Sequence, residues 1–236
     1  MTVVSPPKPA SWVLKVLMAV TGAIWAAFVL IHLYGNLKVF LGPDSFNGYA
    51  HWLKNAFYPL FPKEGVLWML RIVLIIALAI HVYAATTLYL RGRKARGRFR
   101  AKAKARRTGF QSFSAGLMPV TGVLILAFII LHVLDLTVGA QPVAPEGFAM
   151  HTAGESFAYS NLVASFSRLP VAIGYVVMMV LIAIHIAHGT TTLAQDLGAM
   201  GKRLRKTMAV IGGLAAAAIV LGNAAIPIAV QVGWIS

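Results

Sequence analysis

The chain has 236 residues, 59% of them hydrophobic, and a mean hydropathy of +0.78; 21 Lys or Arg against 6 Asp or Glu give a formal net charge of +15. Charged residues make up 11% of the chain, where a soluble domain carries roughly a quarter, so a soluble globular fold is excluded. Cysteine is absent, which excludes disulfides, thiolate catalysis, cysteine-ligated iron–sulfur clusters and covalent haem attachment, and leaves seven histidines as the main soft ligands.

Five apolar stretches reach the roughly 20 residues that a helix needs to cross a bilayer: 12–41, 66–90, 112–139, 168–195 and 207–232. Their uninterrupted hydrophobicity rules out barrel strands, whose two faces alternate. The first stretch runs past His32 to Tyr34 and Lys38 without a small-residue cleavage site, and is expected to be a mature helix rather than a signal peptide. Residues 42–63 mix Phe46, Tyr49, Trp52, Phe57, Tyr58 and Phe61 with polar side chains, as a segment lying at headgroup level would. Residues 142–167 are expected to form an ordered loop, and His51 and His151, in these two connections, are expected to be solvated. The predicted fold is therefore an all-α integral membrane protein. Residues 1–236 form one domain of five transmembrane helices, with no internal repeat.

Basic residues give the orientation. Ten of the seventeen residues from Arg91 to Arg107 are Lys or Arg; Lys202, Arg203, Arg205 and Lys206 follow the fourth stretch, and Lys8 and Lys15 flank the first. That side is expected to be cytoplasmic, with the N-terminus inside and the C-terminus outside. It holds sixteen basic residues against Asp196 alone, whereas the other side sums to zero. The charge then marks topology, matches anionic lipid and offers a docking face, and nucleic acid is not an expected partner.

The first four stretches carry His32, His81, His132 and the pair His185/His188; the fifth carries no histidine. An ionisable side chain at membrane depth usually faces the bundle interior, where it either bonds a neighbouring helix or serves a site. Depth discriminates between these. His81 and His185 each lie ten residues before the cytoplasmic edge, about 15 Å by helical rise, whereas His32 and His132 lie about 30 Å from it. Two level imidazoles on different helices are what a bis-histidine haem iron requires, so the pattern predicts two b haems, His81 with His185 inside and His32 with His132 outside. His188 competes with His185, but depth favours His185 and leaves His188 a supporting or propionate-contacting role. Arg71, Arg91 and Arg168, with Thr86, Thr87 and Thr190 to Thr192, stand at depths suited to propionates. Gly22, Gly35, Gly122, Gly174 and Gly189 offer room for a macrocycle. The fifth helix, rich in Ala and Gly, is expected to pack against this four-helix haem-binding core.

The runs I-H-L-Y-G-N at 31–36, F-N-G-Y-A-H-W-L at 46–53 and H-I-A-H-G-T-T-T-L-A-Q-D-L-G at 185–198, with the lone His81 and His132, resemble the five-helix, di-haem cytochrome b membrane anchor of succinate dehydrogenase and fumarate reductase. The resemblance extends over nearly the whole chain. It implies His185, four positions before Gly189, as the fourth-helix ligand, with His81 and His185 on the haem nearest the soluble subunits. It also implies a prokaryotic cell membrane, a flavoprotein and an iron–sulfur subunit docked on the cytoplasmic face, and electrons passed through two haems to menaquinone. No dicarboxylate or flavin site stands on this chain. A quinone needs an apolar slot and a proton-exchanging group; Glu64 with Trp68 and Arg71 is the candidate, a solvated loop carboxylate is the ordinary reading of Glu64, and Asp135, one turn after His132, is the alternative, either to take the proton or to orient a ligand. The rival readings are the di-haem anchor of another dehydrogenase, such as formate dehydrogenase or hydrogenase, and a haem-free anchor or transporter.

Overall fold

A computed structural model describes residues 9–97, 110–152, 154–198 and 201–236. Most of the basic run 91–107, together with Lys8, lies outside the described residues. The described chain is helical: α1 (Ser11–Asn36) continues through a 3-10 turn (Leu37–Leu41), then α2 (Pro43–Lys54), α3 (Gly65–Arg96), α4 (Phe110–Val133) with a π turn (Leu134–Val138), α5 (Ala158–Phe166), α6 (Leu169–Asp196), α7 (Lys202–Asn223) and α8 (Ala225–Gln231). Five spans are long and apolar enough to cross a membrane: Ser11–Leu41, Gly65–Arg96, Phe113–Val138, Leu169–Asp196 and Lys202–Gln231. The protein is thus an all-α, five-span membrane protein.

The fifth span is not continuous. It breaks at Ala224, ahead of Pro227 in α8, because proline supplies no backbone N–H to the ladder. The expected interfacial segment at 42–63 contains α2, which starts with Pro43 in its first turn and Asp44 beside the helix N-terminus, both favoured there. The long connection at 142–167 ends in α5.

α1 packs against α3 and α6, and α6 packs in turn against α4 and α7. The four histidine helices therefore stand in the order α3, α1, α6, α4. The diagonal pairs α1/α4 and α3/α6 are not among the closely packed pairs of described elements, so side chains pointing inward meet across the middle. α7 covers the outside of α6 and reaches α1, where Asn223 accepts a hydrogen bond from Asn36 Nδ2 at 3.0 Å.

The two ends are fastened differently. At one, Arg91 donates to Pro9 O and to Ser11 Oγ (2.9 and 3.0 Å), and Lys15 pairs with Asp196 at 3.5 Å. This is the basic end. At the other, α2 caps the bundle: the Tyr49 ring lies so close to Gly35 that an added Cβ would stand 2.5 Å from it. Tyr49 also stacks on Trp52 and meets Tyr34 edge-on, with the Lys38 ammonium over both tyrosine rings. Asn47 accepts from the Tyr159 backbone N–H at 2.9 Å, and Asn161 clamps both backbone groups of Ala149, so α2, the long connection and α5 form one cap.

Candidate functional site: two tiers of imidazoles

Thr21 donates its hydroxyl to Leu17 O at 2.6 Å, which leaves the oxygen to accept from His81 Nδ1 at 3.2 Å. His81 Nδ1 also lies 3.1 Å from Met18 O. A carbonyl only accepts, so Nδ1 carries the proton and the lone pair sits on Nε2. On the opposite pair of helices Thr121 binds Leu117 O and Met118 O and stands 3.0 Å from His185 Nδ1, which fixes the same tautomer. Thr21 is eleven residues ahead of His32, and Thr121 eleven ahead of His132, so His81 and His185 form a tier about 16 Å nearer the basic end.

In the cap-end tier the rings of His32 and His132 are 5.9 Å apart between centroids and nearly perpendicular. A metal–imidazole bond of about 2.0–2.1 Å plus roughly 1 Å from nitrogen to ring centre, taken twice, spans about 6 Å, so this separation suits two axial ligands of one iron. Each ring stacks on an aromatic one turn earlier, His32 on Phe28 and His132 on Phe128. His32 makes no hydrogen bond among the described residues, and its ring meets His132 edge-on. Tyr175 donates to Asp135 Oδ2 at 2.9 Å and accepts from His132 Nδ1 at 3.3 Å. Asp135 is 2% exposed and also receives Ser165 at 2.6 Å and Arg168 at 2.7 Å.

Haem fits these residues: three of the four imidazoles have Nδ1 engaged by a neighbouring hydroxyl, leaving Nε2 for an iron, and the cap-end pair has the separation two axial ligands need. No group of three or more metal-binding side chains occurs among the described residues, and a bis-imidazole centre needs only two.

The matched contacts expose an internal repeat, contrary to the expectation of none. L-M-x-V-T-G at 17–22 recurs at 117–122, and the same frame of 100 residues sets Phe28 against Phe128 and His32 against His132. In the second helix of each half, A-I-H at 79–81 recurs at 183–185, followed in both by T-T at 86–87 and 190–191. The repeat pairs His81 with His185, whereas His188 falls opposite Ala84. His188 instead places Nδ1 2.9 Å from Ser114 Oγ, toward the basic end. The repeated glycines also match: a Cβ on Gly22 would stand 3.1 Å from His81 Cε1, and one on Gly122 3.8 Å from His185 Cε1.

The other candidate residues make protein contacts. Arg91 holds the start of α1, and Arg168 donates to Asp135, Val143 O and Ser165. Thr190 to Thr192 bond carbonyls of their own helix. Gly35 makes room for Tyr49, and a Cβ on Gly174 or Gly189 would meet nothing within 4 Å.

The quinone candidates are together. Glu64 lies 3.7 Å from both Lys54 and Arg71, whose guanidinium covers the Trp68 ring at 4.9 Å. Beside Glu64 a cavity of about 220 Å³ is lined by Lys54, Asn55, Lys63, His151 and Thr152. His51 and His151 are not separately solvated: their rings are 6.0 Å apart, and His51 Nε2 bonds Asn55. Burial, then the nearby Lys54 and His51, hold the His151 imidazole below its ordinary pKa against the opposing pull of Glu64. Burial likewise lowers the pKa of Lys54, and Glu64 counteracts it.

No family model, curated protein or solved structure matches the chain.

Proposed function

We propose that this chain is the membrane anchor and di-haem cytochrome b subunit of a succinate:quinone oxidoreductase. It receives electrons from an iron–sulfur subunit at the cytoplasmic, basic end and delivers them to menaquinone. The observation that supports this reading is the two-tier arrangement of four imidazoles, each tier shared by two helices that are not among the closely packed pairs of described elements. A pair of b haems supplies one-electron carriage between a soluble donor and a quinone. The residues of the chain bind and orient: His81 with His185, and His32 with His132, would hold the two haem irons, and Thr21 and Thr121 hold the inner imidazoles with Nε2 free. Glu64, Trp68 and Arg71 are the proposed quinone residues, with Glu64 exchanging the proton. Succinate oxidation belongs to the flavoprotein partner. The same tiers would serve the di-haem anchor of another dehydrogenase, a reading that the identity of the docked subunits decides.

The purified protein is expected to show a reduced-minus-oxidised b-type spectrum with two haems per chain. His81→Ala should lose one of them and retain the other. A ratio near one in the unmodified chain, or two haems retained in His81→Ala, overturns the pairing. Co-purification of a flavoprotein and an iron–sulfur protein with succinate oxidation separates this enzyme from its redox rivals.

A further inference from the structure

The two tiers differ in what backs their ligands. Inner imidazoles donate to neutral threonine hydroxyls, one from each half of the repeat. In the cap-end tier, His132 donates to Tyr175, which donates to a carboxylate that is 2% exposed. This relay breaks the repeat: Asp135 stands where α1 has Gly35, and Tyr175 stands where α3 has Arg71. Asp135 is carried inward on the π turn Leu134–Val138, a backbone irregularity that recurs at functional sites. Arg168 occupies Oδ1 and leaves Oδ2 to Tyr175 and Ser165.

We infer that Asp135, acting through Tyr175, is a positioning residue for the His132 imidazole, fixing its tautomer and strengthening it as a donor, so that the cap-end iron is held at a lower potential. The inference rests on the di-haem reading above. A ligand histidine whose other N–H points toward a carboxylate, here through one hydroxyl, is oriented and made more basic, and a more basic ligand favours the ferric over the ferrous state. Because His32 has no hydrogen bond among the described residues, the effect enters through one axial ligand of one tier. The inner tier, backed by neutral hydroxyls on both sides, should not feel it.

The test is potentiometry of the haem absorbance in the purified assembly, for the unmodified protein, Tyr175→Phe and Asp135→Asn. In Tyr175→Phe, which keeps the ring contacts to Phe166 and Phe128 at 4.7 and 5.1 Å, the cap-end midpoint should rise by about a tenfold change in the redox equilibrium, which is 59 mV for one electron. The inner midpoint should stay. His81→Ala, which retains only the cap-end haem, assigns the two. If Asp135→Asn fails to assemble because Arg168 loses its partner, Tyr175→Phe still decides. Two bound haems with both midpoints unmoved, or both moved equally, overturn the relay. An unmodified chain without haem overturns the functional reading itself.

Discussion

A hydroxyl one helix away decides which nitrogen of an imidazole is free, and the two inner histidines are not equally secured. His81 Nδ1 has two acceptors, Thr21 and Met18 O, whereas His185 Nδ1 has only Thr121 among the described residues. Valine preserves the shape of threonine and removes the oxygen. Thr121→Val should therefore weaken haem binding by about 10–100-fold, the range for losing a partner behind a metal-ligating histidine. Thr21→Val should weaken it less, because Met18 O still fixes the tautomer. Haem transfer to apomyoglobin measures the difference, and equal loss from both variants would show that the threonines fill space rather than set the tautomer. These hydroxyls are not legible by scanning one helix at a time, because each bonds a ring 60 or more residues along the chain. The recurrence of L-M-x-V-T-G is legible, but only when the first and third spans are laid over each other, since all the spans look alike in hydropathy.

At the scale of the helix, small residues determine how closely neighbours approach. A Cβ on Gly212 would stand 3.0 Å from Thr190 Cβ and 3.1 Å from the Ala187 carbonyl, whereas one on the adjacent Gly213 would meet nothing within 4 Å. The backbone of α7 is pressed to α6 on one side only. Gly212→Val should then destabilise the bundle by about 1–3 kcal/mol, the ordinary cost of overpacking, while Gly213→Val changes little. Denaturant unfolding in detergent compares the two, and identical curves would mean that α7 does not pack through this face. Span number and approximate limits were readable from hydropathy because a bilayer demands a minimum apolar length. The break at Ala224 and the helices α2 and α5 follow from Pro227, from the Asn47 and Asn161 contacts, and from the Gly35–Tyr49 fit. Hydropathy does not register such contacts.

For the molecule as a whole, depth was the most informative quantity in the sequence. Helical rise is constant, so counting residues from a basic edge converts letters to ångströms, and His32 and His132 do meet across the bundle. Partners perpendicular to the membrane normal are not fixed by counting, which is why the depth of Arg168 is legible in the sequence and its pairing with Asp135 is not. The basic end is where charge and topology meet. Arg91, Lys15 and Asp196 fasten α1, α3 and α6 to one another there, and Arg93, Lys94, Arg96, Lys202, Arg203, Arg205 and Lys206 are the other basic residues at the adjoining ends of α3 and α7. The bias of Lys and Arg in short loops sets orientation, so replacing the basic residues of 91–107 and 202–206 by Gln should mix the two orientations. A phosphatase fused after Ser236, active only outside the cytoplasm, is expected to lose a substantial part of its activity. Neutralising 93–104 alone leaves Lys15, Arg91 and 202–206 in place, so orientation should hold while the proposed flavoprotein and iron–sulfur partners bind less tightly. Unchanged partner recovery with unchanged topology would remove the docking role and leave the charge as a topology signal alone.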